Sequence, residues 1–152
     1  MADKPDRFTF RRDDPVALVD AVRRVVGAGR GWINASPVLD DAPATARNPA
    51  SWFSGRGPAV PTATFVAARS PRPHSLGIEH GSGGHAVARL TAGGVELPTG
   101  ARRRQDHPRR GLVLEVPADV DPAAVVRFLL DAAVLLSVVR TDDRWEATCY
   151  PG

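Results

Sequence analysis

Phe8-Thr9-Phe10-Arg11 alternates apolar and polar, the period of a strand with one buried face. Asp14-Pro15 follows. An Asp side chain can accept the orphan amides of a first helical turn, and Pro at the first helical position loses no needed donor. Leu18, Val19, Val22, Val25 and Val26 then share one helical face, with Asp20, Arg23 and Arg24 opposite. The pattern predicts a helix over about 15–27 started by Asp14 and stopped by Gly27, Gly29 and Gly31. Trp32-Ile33-Asn34-Ala35 reads as a short returning strand.

The C-terminal part repeats this order. Leu112-Val113-Leu114-Glu115-Val116 is the strongest strand pattern in the chain, and Asp121-Pro122 starts a second helix, over about 122–138. Arg127 and Asp131 are the only charges in that helix, which is apolar nearly all round and so predicts the most buried element. Arg144 to Tyr150 reads as a final strand. The chain is thus framed by two strand–helix–strand units, through either an old duplication or convergent capping.

The middle is less regular. Ser36 to Pro61 is rich in Pro, Ala, Ser, Gly and Asp without periodicity, and reads as a long irregular loop anchored by Trp52-Phe53. Thr62–Ala67 and His74–Glu79 read as strands, Gly84–Ala92 as a short helix ended by Gly93-Gly94. Ala101–Gln105 is expected to pair with Leu112–Val116 as a hairpin turning at Asp106 to Gly111. The sum predicts one α+β domain over 1–152. Its sheet is expected to be mixed or mostly antiparallel, with both main helices on one face. A doubly wound parallel sheet fits poorly, because strict alternation of strand and helix fails in the middle.

Composition adds compartment and charge. Of 152 residues only Cys149 is a cysteine, so no intrachain disulfide forms, which fits a reducing compartment. Met1 to Arg12 has no apolar core of a signal peptide, and the apolar run Pro122 to Val139 is short and twice charged for a membrane span. The expectation is a soluble cytoplasmic protein without a membrane. Nineteen of twenty cations are Arg, beside abundant Ala, Val, Gly and Pro: the bias of GC-rich codons, which makes Arg the default cation. Net charge is +3 but uneven. Residues 61–110 carry eight cationic and three acidic side chains, residues 111–152 three and seven. The basic middle suits an acidic partner.

Four groups of residues carry candidate chemistry. His80-Gly81-Ser82-Gly83-Gly84-His85 follows a strand and opens a helix, where glycine backbone and free amides attract anions. Gly81-x-Gly83-x-x-Ala86 meets the bare dinucleotide pattern, but the only near acid, Glu96, is too close for the ribose. The turn is similar to the coenzyme A pyrophosphate loop of acetyltransferases, with Ile78 standing where that family has Gln or Arg. His74, His80 and His85, with Glu79, lie close in sequence, but no cysteine pair or His-Glu-x-x-His helix completes a zinc set. Asp106-His107 places an acid beside a possible base in a turn, and Cys149 lies mid-strand as a small hydrophobe. Finally, Arg102, Arg104, Arg109 and Arg110 flank the hairpin turn and could clamp phosphates, with Arg103 sent to the other face. No aromatic interleaves with them, so nucleic acid is not favoured.

No motif assigns a catalytic residue, a metal or a cofactor. The expected function is a non-enzymatic binding or protein-interaction domain, able to dimerise through its sheet or the Trp52-Phe53 loop. The alternatives are polyanion or nucleic-acid binding by the Arg102–Arg110 hairpin, and an enzyme holding a phosphate-bearing cofactor at Gly81–Gly84.

Overall fold

The computed structural model describes residues 3–39 and 57–152. These form β1 (Asp6–Arg11), α1 (Val16–Ala28), β2 (Trp32–Pro37), β3 (Thr62–Val66), β4 (His74–Glu79), α2 (Ala86–Ala92), β5 (Arg102–His107), β6 (Gly111–Val116), α3 (Pro122–Leu136) and β7 (Arg144–Tyr150). Residues 36–37 of the expected loop belong to β2. Trp52-Phe53 lies outside the described residues.

All seven strands join one sheet in the order β1-β7-β2-β3-β4-β6-β5, and every adjacent pair is antiparallel. The two terminal units interlock. β1 and β2 run parallel but are separated by β7, which pairs with both. β6 and β7 are also parallel, with β4, β3 and β2 between them, about 19 Å at the usual strand spacing. α3 bridges that gap and packs over β3 and β4.

Alternation along each strand sorts the two faces. Trp145, Ala147 and Cys149 of β7 are buried beside Ile33 and Ala35 of β2. Ala63, Phe65, Leu76, Ile78, Leu112 and Leu114 continue that face across β3, β4 and β6. Against it lie Leu18, Ala21, Val22 and Val25 of α1 and eight buried residues of α3. The opposite face carries Trp32, Asn34, Ser36, Thr64, Val66, Ser75 and Val113, and no helix among the described residues covers it. This is an α+β fold with its helices on one side. None of its described helices is long and apolar enough to cross a membrane.

The two Asp-Pro starts differ. Asp121 is extended and its Oδ1 accepts the Ala123 amide at 3.1 Å. Asp14 does not cap α1, contrary to the sequence expectation. The chain turns tightly after β1, with the Asp14 amide donating to the Arg11 carbonyl at 3.0 Å. The turn shifts the cap position onto Pro15, which has no side-chain acceptor. Asp121→Ala is therefore expected to cost about 1 kcal/mol and Asp14→Ala only a few tenths. Urea denaturation of both variants checks this, and equal losses would contradict the assignment.

The α3 charges also pair differently from their one-turn spacing. Asp131 meets Arg12 at 2.8 Å rather than Arg127, and Arg11 meets Asp143 at 2.6 Å. These pairs tie the β1–α1 turn to α3 and to the start of β7, and solvent screening keeps each of them weak.

Candidate functional site: an edge groove

The glycine turn and the arginine hairpin, distant in sequence, meet at the β5 edge of the sheet. The cause is one extra residue in β5. Arg102 faces Glu115 and Arg103 faces Leu114, but the next pair is Gln105 with Val113, so Arg104 is unmatched. Such a bulge re-aims every later side chain. In regular register Asp106 would share the open face. The bulge sets it opposite Leu112, on the helix side. There its two oxygens accept the Ala86 amide at 3.0 Å and the Val87 amide at 3.1 Å. β5 thus supplies the cap that α2 lacks locally, where His85 lies in the left-handed region (φ 59°) and offers no side-chain bond. A non-glycine residue there is strained and needs support from its surroundings.

Between these elements lies a groove of about 670 Å³ lined by Gly84, His85, Arg103, Arg104, Gln105, Asp106 and Pro108. Arg104 Nε sits 2.9 Å from Glu115. Arg102, Arg103 and Arg110 are exposed and form no ion pair among the described residues. The turn itself is held by His107, whose Nδ1 accepts the Arg109 and Arg110 amides at 3.1 and 3.2 Å. Gln105 Nε2 adds bonds to the Arg110 and Gly111 carbonyls. Asp106 and His107 therefore point to opposite faces of β5 and form no acid–base pair.

The glycine turn is fixed from inside by His80, which is 0% exposed. The Ser82 amide donates to its Nδ1 at 3.3 Å, and Ser82 Oγ lies 2.9 Å from the same atom. Its Nε2 is buried without a partner, as is Arg89 Nε, while Arg89 Nη2 donates to the Gly83 carbonyl at 2.9 Å. His74 is at the other end of β4, about 20 Å away at the strand rise. It accepts the Ala68 amide at Nδ1 and meets the Ala118 carbonyl at Nε2. His85 is exposed in the groove. The histidines thus do not converge on one point. Cys149 is buried in β7, far across the sheet.

Burial holds the His80 imidazolium below the usual histidine range, the Arg89 charge adds to this, and Asp106 opposes it. The unfolded chain then binds more protons than the folded one, so stability rises with pH through this window. The contribution is complete above about pH 6.5 and is lost as pH falls below it. The melting temperature is expected to drop from pH 7 to pH 5. His80→Asn, whose amide oxygen can accept the Ser82 amide, should flatten that drop. An equally steep drop in the variant would assign it to other groups.

Sequence reasoning placed the glycine turn and the hairpin but missed Arg103 and Asp106 as groove residues. Arg103 reaches it by ordinary alternation, opposite Leu114, but Asp106 does so only through the bulge, of which alternation gives no sign. No known protein family matches the sequence, and no curated protein and no solved structure matches it at a significant level.

Proposed function

We propose that this chain is a cytoplasmic binding domain, without a reaction of its own, whose partner is a polyanion received at the β5–β6 edge. The carrying observation is the set of exposed arginines Arg102, Arg103 and Arg110 of the β5–β6 hairpin, which form no ion pair among the described residues, with Arg103 lining the groove. Arg102 and Arg103 present cations on both faces of the edge strand and Arg110 adds one at its turn, and the summed positive field attracts a polyanion to the edge. The same arginines block pairing of this edge with another strand. A phosphate-bearing cofactor at Gly81–Gly84 has less support, because Asp106 holds the first amides of α2 and adds negative charge there.

Heparin chromatography tests the proposal. The protein is expected to be retained at low salt and released as sodium chloride rises. The triple variant Arg102→Glu, Arg103→Glu, Arg110→Glu should lose affinity by about tenfold or more, since each neutralised phosphate or sulfate contributes to the salt dependence. Retention unaffected by the triple variant sinks the proposal.

A further inference from the structure

The sheet face opposite the helices carries an aromatic patch that the hairpin does not explain. Trp32 and Tyr150, cross-strand neighbours in β2 and β7, stack with ring centroids 4.9 Å apart and planes 13° apart. Val66 of β3 stands on the other side of Trp32, and both Trp32 and Val66 are 41% exposed. Gly31 makes this arrangement possible. A Cβ there would meet the Tyr150 carbonyl oxygen at 2.6 Å, and its φ is +99°. Glycine lets β2 begin tight against the end of β7, which seats the two rings together.

The turns at this end of β2, β3 and β4 carry cations. Arg30 precedes β2 by two residues, and Arg69 and Arg72 lie in the β3–β4 loop. A Cβ added to Gly29 would meet the Arg69 Cα at 3.3 Å, so that loop packs against the turn carrying Arg30. All three arginines are exposed and form no ion pair among the described residues. No Asp or Glu occurs in 29–31 or 67–73. Behind the patch the next row of the same face is hydroxyl and amide. Thr148, Asn34 and Thr64 lie side by side, with Thr64 Oγ1 donating to Asn34 Oδ1 at 2.9 Å.

We propose that this face binds single-stranded nucleic acid, with bases stacked at Trp32 and Tyr150 and phosphates held by Arg30, Arg69 and Arg72. The inference rests on the polyanion reading above and names its partner, but it uses different residues. The chemistry of the patch favours this occupant. Unpaired bases stack on exposed aromatics of a sheet face, while guanidinium groups track the backbone. Hydroxyl and amide side chains beside the rings suit base edges, whereas the core of a protein interface is apolar. Among the described residues the apolar surface of the patch is Trp32, Tyr150 and Val66. A seven-stranded sheet is too wide for a duplex major groove, which admits a helix or a two-stranded ribbon. The Trp32 row runs on through Val66, Ser75 and Glu115 to Arg102 at the β5 edge, about 19 Å from Trp32. A strand crossing the face therefore reaches the hairpin.

The test uses the full chain and a fluorescein-labelled oligouridine of about 16 nucleotides, the long end of single-domain site sizes. Binding is expected in the micromolar range at 50 mM salt, weakening with a log–log slope between about −2 for the three rim contacts alone and about −4 with the three edge arginines also engaged. Trp fluorescence should be quenched on binding. Trp32→Phe is expected to keep affinity within a few-fold and abolish most of the quench. Trp32→Ala should lose about tenfold or more. The exposed triple Arg30→Gln, Arg69→Gln, Arg72→Gln should fold normally and flatten the salt slope. The edge triple Arg102→Glu, Arg103→Glu, Arg110→Glu should weaken binding but keep the quench. Loss of binding in the edge triple alone, with Trp32→Ala and the rim triple unaffected, overturns the face and leaves the edge reading standing. No binding at about 100 μM, the weak end of non-specific affinities, overturns the proposal. Equal affinity for duplex RNA overturns the single-strand assignment. Displacement by polyglutamate at equal charge overturns nucleic acid as the partner.

Discussion

Trp145→Ala is expected to lower stability by about 3–5 kcal/mol, the range for emptying a large aromatic site in a core. Trp145 is the largest fully buried side chain among the described residues, at 0% exposure. It pairs across strands with Phe10 of β1 and Pro37 of β2, and its ring stacks on Phe10 at 6.3 Å. The residue thus locks the last strand between the first two. A cavity there loosens three strands at once and cannot collapse cheaply. The loss is a large share of the 5–15 kcal/mol that a domain of this kind has in total. Trp145→Phe should cost much less. It keeps the ring against Phe10 and removes an indole N–H that is buried without a partner. Urea unfolding measures both. A loss below about 1.5 kcal/mol for Trp145→Ala means that β7 is not seated between β1 and β2.

The strands were legible where their pattern is local. His74 to Glu79 and Arg144 to Tyr150 alternate cleanly, and the structure gives them those same bounds. What alternation does not contain is neighbour choice. Trp145, Ala147 and Cys149 form one apolar stripe that fits β1 and β2 equally well, and the sheet uses it for both. The terminal units look self-contained in sequence, yet each is completed by strands of the other. The helix starts show a second limit. The same Asp-Pro pair stands at 14–15 and 121–122, but the tight turn after β1 overrides the local signal at the first.

The site was legible only in pieces, for the same reason. Glycine, histidine and arginine between 80 and 110 mark a stretch of unusual chemistry, and the structure does gather parts of it into a groove. The groove depends on one unmatched residue, Arg104, whose effect on Asp106 is a matter of register. The aromatic patch was harder to see. Trp32 and Tyr150 are 118 residues apart in sequence, and only the insertion of β7 beside β2 makes them neighbours. The arginines nearest to those aromatics along the strands are Arg30, Arg69 and Arg72 in the flanking turns, not those of the hairpin.

Gly111→Ala is expected to cost about 3 kcal/mol or more and to weaken heparin binding in parallel. Two penalties add at this position. Its φ is +83°, where a side chain is strained by about 1–2 kcal/mol. An added Cβ would also overlap the Ile78 carbonyl oxygen and lie 3.1 Å from the Glu79 Cα. Those are backbone atoms of β4, held in the ladder with β6, so the clash cannot be relieved by a rotamer change. Relief requires the start of β6 to lift. That lift breaks the pairing of Gly111 with His107 and the Gln105 bond to the Gly111 carbonyl. The arginine turn then loses its frame while α1, α3 and the far strands keep theirs. Gly77→Ala is the control. It sits in β4 without a positive φ, and its added Cβ would meet Thr64 Cβ at an ordinary 3.8 Å. It should cost well under 1 kcal/mol, as a surface change does away from strained backbone. If the two variants melt alike, the close approach of β6 to β4 is not what fixes the hairpin. If Gly111→Ala melts early yet binds heparin normally, the edge arginines do not need that frame, and the polyanion is held elsewhere.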